Sequence, residues 1–327
     1  MSADGEPVSA GQRTNAESRL VIAAIFLGTL ALASGLLFVH VRSTEIAIDA
    51  LVSAMSFVTP REQAVLRPML VESMSAAGLS RGTGEAPGVV RLRAHGDGPR
   101  TGSISLDRIV VPAGTHVWLA RTEVPRQYRL SLRSPRPVPV SVHADLMGTV
   151  EMRPSASRAI AGDPTAPRPI DLTSTTNDFD LDITLLAGAP PPRMRQLLAA
   201  DLQLHEIEEE LTSVRPDARP MSTIESGSLW FESIAGEQRT LRAGELIRLD
   251  SARGMLQSLT LGADGIGLRF HGTVRGVFTG YDDEPRSLMP TMLDTLRARQ
   301  GGKLLWGTAL YLFGAVMAVR RWWRKPS

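Results

Sequence analysis

The chain has 327 residues, no cysteine and a formal net charge of +2. Without cysteine it can form neither disulfides nor thiolate metal sites, and it has no cysteine nucleophile. The sequence pI of about 9.4 could indicate a nucleic-acid-binding protein, but the basic excess is confined to the C-terminal tail and the rest of the chain is close to neutral. We therefore expect no nucleic-acid partner.

A polar tail, residues 1–19, precedes a first apolar segment, residues 20–41, which contains no Asp, Glu, Lys or Arg. A helix of this length would extend about 33 Å, enough to cross a hydrocarbon core of about 30 Å. We predict a transmembrane helix. A cleaved signal peptide is the alternative, because residues 31–33 (Ala-Leu-Ala) resemble a cleavage site. Since the apolar run continues beyond that site, we favour a span that stays attached.

A second apolar segment, residues 304–319, lies near the C-terminus. As a helix it would extend only about 24 Å, but Lys303 can snorkel at one end and Trp322 and Trp323 can lie at the opposite interface. The tail that follows, residues 320–327, carries four basic residues and no acid, which predicts a cytoplasmic C-terminus. Two spans then place the N-terminus in the cytoplasm as well. We expect a two-pass protein of the bacterial cytoplasmic (inner) membrane with a periplasmic domain between its spans.

Small residues recur on one face of each predicted span. Gly28 and Gly35 mark the first face, and Gly307 and Gly314 mark the second. Membrane helices associate through small residues because these let the backbones approach closely. These four glycines are our candidates for helix packing, either with each other or with a partner's helix, although glycine is also simply common in membrane spans.

The domain between the spans, residues 42–303, is expected to begin with a helical segment, residues 42–87. One observation is an apolar pattern with helical spacing, formed by Ile48, Leu51, Val52, Met55 and Val58. Another is the capping-box spacing of residues 59–62 (Thr-Pro-Arg-Glu), which predicts a second helix ending near residue 78.

The remainder of the domain predicts mainly strands. Apolar residues alternate with polar ones through a first β unit, residues 88–187, and again through a second, residues 216–286. Between them, residues 188–215 are predicted as a helical connector, with a strand through Leu202 and Leu204 as the alternative. Residues 287–303 are predicted as an amphipathic helix on the membrane surface. The expected fold is thus a mainly β, antiparallel, sandwich-like domain with a few helices, flanked by two transmembrane helices.

The two β units share an internal similarity. Residues 102–103, 113–114 and 148–150 (Gly-Ser, Ala-Gly, Gly-Thr-Val) are matched in order by residues 227–228, 243–244 and 272–274. The intermediate spacings differ and these are common turn residues, so chance is as good an explanation as a repeat.

No catalytic motif is present, and the six histidines are dispersed. Asp178, Asp180 and Asp182 alternate along a predicted strand, which permits either a calcium site or a solvated face with Phe179 and Leu181 turned inward. We favour the solvated face. The acidic run at residues 206–210 is interpreted as a solvated surface, with a docking surface for a basic partner as the alternative.

These observations predict a non-catalytic protein without cofactor, metal or catalytic residues. Its partners would be the lipid bilayer and other membrane or periplasmic proteins, for which the β-rich domain acts as a scaffold or docking platform in an envelope complex. A periplasmic ligand-sensing or carrier domain that acts through a partner is the alternative. A hydrolase whose triad is assembled from distant residues is a further one.

Overall fold

The computed structural model describes residues 40–66, 69–80, 88–94, 104–144, 148–153, 168–174, 177–206, 220–234, 236–280, 285–292 and 294–295, with Gly35, Ala298, Lys303, Gly307, Leu310, Tyr311, Gly314 and Met317 as single positions. The chain divides into two compact units. One is Arg42–Met289, and the other combines Met1–Val41 with Pro290–Ser327.

The Arg42–Met289 unit is built almost entirely of strands. Its first half contains β1 (Thr44–Val52), β2 (Ala54–Val58), β3 (Gln63–Leu66), β4 (Met69–Ser80), β5 (Gly88–Ala94), β6 (Ile104–Val111), β7 (His116–Arg121), β8 (Gln127–Arg133), β9 (Pro139–Ala144), β10 (Gly148–Arg153), β11 (Arg168–Ser174) and β12 (Asp178–Leu185). Its second half contains β13 (Arg193–Met194), β14 (Leu197–Gln203), β15 (His205–Glu206), β16 (Met221–Ser222), β17 (Ile224–Phe231), β18 (Glu237–Leu241), β19 (Ile247–Asp250), β20 (Arg253–Leu261), β21 (Ile266–Val274), β22 (Gly276–Thr279) and β23 (Arg286–Ser287). A single 3₁₀ turn, Glu232–Ile234, follows β17 among the described residues.

Hydrogen-bonded pairing is antiparallel throughout the described strands, which confirms the mainly β prediction. One series of neighbours runs β2, β7, β8, β12, β4, β5 and β10, and β6 joins β3, β9 and the start of β4. A second series runs β18, β17, β1, β21, β20 and β14. Because β14 also pairs with β2, the two series belong to one large sheet. Two small sheets, β15 with β16 and β19 with β22 and β23, complete the unit as described.

The core follows from strict alternation along the strands. In β12, Phe179, Leu181 and Ile183 are fully buried while the residues between them are partly or fully exposed. β1, β8 and β21 show the same period of two. Since successive side chains of a strand point to opposite faces, each of these four strands contributes one apolar face to a continuous core.

The predicted helical segment at residues 42–87 is wrong, because its described residues form β1 to β4. Even-numbered residues of β1 point inward, as Ile48 does, whereas odd-numbered residues of β2 point inward, as Met55 and Phe57 do. The alternation therefore changes phase at Ser53, between the two strands. When apolar residues alternate with a period of two and the alternation slips once by one residue, some of them become spaced three or four residues apart, as on one face of a helix.

The helix start predicted at residue 59 is also wrong. Thr59 is buried at the end of β2, where its Oγ1 donates to the carbonyl of Pro112 at 2.7 Å and accepts from the amide of Thr115 at 3.1 Å. The capping residue thus binds the β6–β7 turn instead of a helix.

The connector at residues 188–215 is β13, β14 and β15 as far as residue 206, so the strand alternative through Leu202 and Leu204 is correct there. Asp201 has a φ of 51°, and this irregularity again shifts the phase of alternation, which explains the helix-like spacing. Residues 207–215 lie outside the described residues.

The described parts of both predicted β units form strands, β5 to β12 and β16 to β23.

The helix predicted from residue 287 begins later than expected, since Arg286–Ser287 is strand β23 and helical backbone starts at Met292. Thr291 and Asp294 form the cap: the Asp294 carboxylate accepts from the Thr291 amide at 3.0 Å, and Thr291 Oγ1 accepts from the Asp294 amide at 3.2 Å. This reciprocal pair is a capping box.

The internal similarity has three elements, of which the first cannot be compared because residues 102–103 lie outside the described residues, while the second holds. Gly114 and Gly244 both have positive φ, 81° and 74°, in turns that lead into β7 and towards β19. The third element differs, because residues 148–150 begin β10 whereas residues 272–274 end β21.

Most residues of the two predicted spans, including Gly28, lie outside the described residues. The described positions of the second segment, Gly307, Leu310, Tyr311, Gly314 and Met317, all have helical backbone. Among the residues that the structure describes, no helix combines the length and the apolar character needed to span a membrane.

Candidate functional site

Three of the four predicted packing glycines fall on described positions. Gly35, Gly307 and Gly314 are exposed, and a Cβ added to any of them would meet no atom of the described residues within 4 Å. Gly28 lies outside the described residues. Packing of these glycines, either with each other or against a partner's helix, stays a prediction.

The three alternating aspartates form an ion-pair ladder with the neighbouring strand. On β12, Asp182 accepts from Arg129 Nε at 2.7 Å, and Asp178 and Asp180 lie 3.6 and 3.5 Å from the guanidinium of Arg133. These arginines are on β8, which pairs directly with β12. The prediction of a solvated face with Phe179 inside is confirmed. Nowhere among the described residues do three acidic or histidine side chains converge as a metal site would require.

Two histidines have distinctive surroundings. His271 Nε2 lies 2.8 Å from Glu232 Oε1 on the outer face of β21. His205 is half-buried, and its Nδ1 is buried without a hydrogen-bond partner among the residues that the structure describes. Burial, followed by the charge of Arg248, lowers the pKa of His205, so this imidazole is neutral at neutral pH. His116 lies on β7 and His143 on β9, and these two strands are not paired with each other in the described part of the sheet.

The carboxylate of Glu245, in the turn that follows β18, accepts hydrogen bonds from three described residues. Its Oε1 lies 2.6 Å from Arg239 Nη2 and accepts from Thr279 Oγ1 at 3.3 Å, while its Oε2 accepts from the amide of Arg242 at 3.2 Å. Its carbonyl accepts from Ser222 Oγ at 2.7 Å. Burial raises the pKa of Glu245, but the hydrogen bonds from Arg239 and the Arg242 amide outweigh it, so the net shift is downward.

An open cleft of about 590 Å³ lies against this turn. Its lining consists of Arg239, Thr240, Arg242, Ala243, Gly244 and Glu245. The cleft is polar, in contrast to the deep apolar pocket that a carrier of apolar ligands would need. In the sequence, residues 243–244 stand out only as part of the internal similarity. The two arginines beside the Ala-Gly-Glu turn were the available signal for this site.

A second polar cluster ties the β7–β8 hairpin to the turn between β20 and β21. Tyr128 is fully buried, and its hydroxyl donates to the carbonyl oxygens of Gly262 and, at 3.0 Å, Gly265. Arg121 donates to the carbonyl of Asp264 and lies 3.5 Å from Glu225. Burial is the main cause that raises the pKa of Tyr128 to about 12. We call this cluster the tyrosine clasp.

Comparison with known proteins identifies no relative of this chain. No protein-family model matches it, and neither a curated protein nor a solved structure matches it.

Proposed function

We propose that this chain is a two-pass protein of the bacterial cytoplasmic membrane, whose sandwich-like β domain lies in the periplasm and docks or scaffolds partners of an envelope complex. One observation carries the proposal. The segments that lead into and out of the β-rich unit are paired with each other: the Val41 amide donates to the Pro290 carbonyl at 3.1 Å, and His40 and Thr291 form an antiparallel bridge.

This pairing supports a shared membrane attachment. His40 and Val41 belong to the first apolar segment, residues 20–41, and Thr291 precedes the second, residues 304–319, by 13 residues, among which Met292, Asp294, Thr295, Ala298 and Lys303 are described with helical backbone. Two membrane helices that start from one place enter the same bilayer from the same side. Leu310, Tyr311 and Met317 have helical backbone and are roughly half or more exposed, and apolar side chains exposed on a helix are stable when lipid or a partner helix covers them.

A docking role agrees with the regular outer faces of the sheet. Cross-strand ion pairs such as Arg129 with Asp182 and Arg269 with Asp49 order these faces without forming a catalytic constellation. A surface of this kind suits recognition of another protein by complementary charge.

Thiol labelling tests the topology, because the natural chain contains no cysteine. Val124→Cys places a thiol at a residue that is 54% exposed, and Ser327→Cys places one in the basic tail. In intact spheroplasts, a membrane-impermeant maleimide should label V124C but label S327C only after lysis. The opposite result would invert the topology, and release of the protein by alkaline carbonate would remove the membrane anchoring altogether.

Docking is tested by crosslinking in native membranes followed by purification in mild detergent. We expect other membrane or periplasmic proteins to co-purify. Their absence under several mild conditions would contradict the scaffold role. Mass spectrometry of the same sample should find peptides that contain residues 20–33, whereas a mature N-terminus at Ser34 would show that the first segment is a cleaved signal peptide.

A further inference from the structure

Strand β18, Glu237–Leu241, lies at an edge of the sheet. It pairs with β17, with Thr240 opposite Ser228, and it has no other strand neighbour in the part of the chain that the structure describes. Alternate backbone N–H and C=O groups of an edge strand point away from its partner strand. Glu237, Gln238 and Thr240 are exposed along β18, so this edge is accessible to an added strand.

The polar cleft described above adjoins the end of this edge. Arg239 and Thr240 belong to β18, and the rest of the lining comes from the turn that follows it. Arg242 is exposed, and its guanidinium has no hydrogen-bond or ion-pair partner among the described residues, since only its backbone amide binds Glu245. The edge and the cleft are therefore adjacent and accessible.

The charge of the cleft indicates which ionised group it can bind. Glu245 lies 2.6 Å from Arg239 and offsets its charge, which leaves one uncompensated positive charge, that of Arg242. One carboxylate would neutralise this charge, whereas a doubly charged phosphate would remain only partly compensated. A guanidinium also matches a carboxylate geometrically, because it can donate two parallel hydrogen bonds to the two oxygens.

We propose that β18 and the adjoining cleft form the docking surface for an extended segment of a partner protein, which adds a strand to the β18 edge and places one carboxylate against Arg242. Strand addition would supply affinity through backbone hydrogen bonds, and the arginine would supply specificity. This inference deepens the docking role proposed above and rests on it.

The test uses the purified full chain in mild detergent and blocked hexapeptides of alternating threonine and valine that carry one central glutamate, glutamine or lysine. Fluorescence anisotropy should show that the glutamate peptide binds about tenfold more tightly than the glutamine peptide, as expected for a hydrogen bond between charged groups. Arg242→Glu should reverse the preference towards the lysine peptide. The matched control, Arg253→Glu, changes an exposed arginine outside the cleft and should keep the glutamate preference.

Strand addition has its own test. Methylating alternate backbone nitrogens of the glutamate peptide gives two isomers. In one of them the methyl groups replace only the N–H groups that would face β18, and in the other only those that would face away from it. The first isomer should lose binding and the second should keep it. Equal binding by both isomers would overturn the added strand, and equal binding of the glutamate and glutamine peptides would overturn the carboxylate site.

A dimer that excludes the peptides, detected by analytical ultracentrifugation and abolished by R242E, would assign the edge to a second copy of this chain and overturn the proposal. Failure to bind any of the peptides would also overturn it. Peptide binding is measured without a membrane, so its failure can be distinguished from failure of the topology, which the thiol labelling reports independently.

Discussion

Replacing Tyr128 by phenylalanine should weaken the attachment of the β20–β21 turn to the β7–β8 hairpin. The substitution keeps the buried ring and removes only the hydroxyl that donates to Gly262 and Gly265. The Gly265 carbonyl retains a second donor, the Gly262 amide at 2.9 Å. The Gly262 carbonyl thus loses its hydrogen bond from Tyr128 without a second donor among the described residues. We therefore expect the free energy of unfolding to fall by about 1–2 kcal/mol.

The tyrosine clasp should also make stability depend on alkaline pH. The pKa of Tyr128 is about 12 in the folded chain and 10.0 for an ordinary tyrosine. The unfolded state therefore loses this proton first, so the stabilisation by the neutral phenol is complete below pH 10 and is lost between pH 10 and 12. The shift corresponds to roughly 2–3 kcal/mol over that interval.

Urea unfolding of the full chain in non-ionic detergent, followed by tryptophan fluorescence, would measure both effects. Tyr128→Phe should lower stability at pH 7 and should flatten the decline at alkaline pH relative to the natural chain. Tyr311→Phe, at a position that is 53% exposed, is the matched control and should do neither. If Y128F were as stable as the natural chain with the same alkaline decline, the clasp would not join the two hairpins as described.

Three further substitutions test the packing and the charges. Glu245→Gln should lower the free energy of unfolding by about 1–2 kcal/mol at neutral pH. Because the pKa of Glu245 in the folded chain lies below its ordinary value of 4.5, the difference between the two proteins in urea unfolding should shrink below pH 4.5 and disappear once the pH falls below the folded pKa. Gly272→Ala should destabilise by about 1–3 kcal/mol or more in thermal unfolding, since its Cβ would clash with the carbonyl oxygen of Arg253 and would lie 2.7 Å from both Gly254 Cα and Phe270 Cζ. Gly307→Ala is the control without a described contact. Asp182→Asn should change stability by less than about 1 kcal/mol, because this pair is largely solvated, and a larger coupling in a double-mutant cycle with Arg129 would contradict that reasoning.

The strands that could be predicted are those whose alternation is uninterrupted. β12 alternates from Asp178 to Leu185, and the expectation that Phe179 and Leu181 point inward is confirmed. The exposed partners of its aspartates were not predictable, because Arg129 and Arg133 lie about 50 residues earlier and reach them only through the β8–β12 register.

The mispredicted helices share one physical cause. A slip of one residue changes which face of a strand is buried, and it occurs at Ser53 between β1 and β2 and near Asp201 in β14. A local apolar pattern cannot separate such a slip from a helical period. The capping-box prediction at Thr59 failed for a related reason, since a threonine hydroxyl can bind a turn of the sheet, as at Thr59, or cap a helix, as the structure shows at Thr291.

A membrane span and an edge strand differ in how far they can be predicted from sequence. The first depends on neighbouring residues, whereas the second depends on pairing between residues far apart in the chain. A membrane span is specified by about 20 consecutive residues, so its signal is local. An edge strand is specified by what fails to pair with it. Among the described strands β18 lies at the edge because only β17 pairs with it, and the other side of β17 pairs with β1, which precedes β17 by about 170 residues. Only the complete pairing pattern brings Arg242 to an accessible edge, so a docking surface of this kind becomes recognisable only once the fold is known.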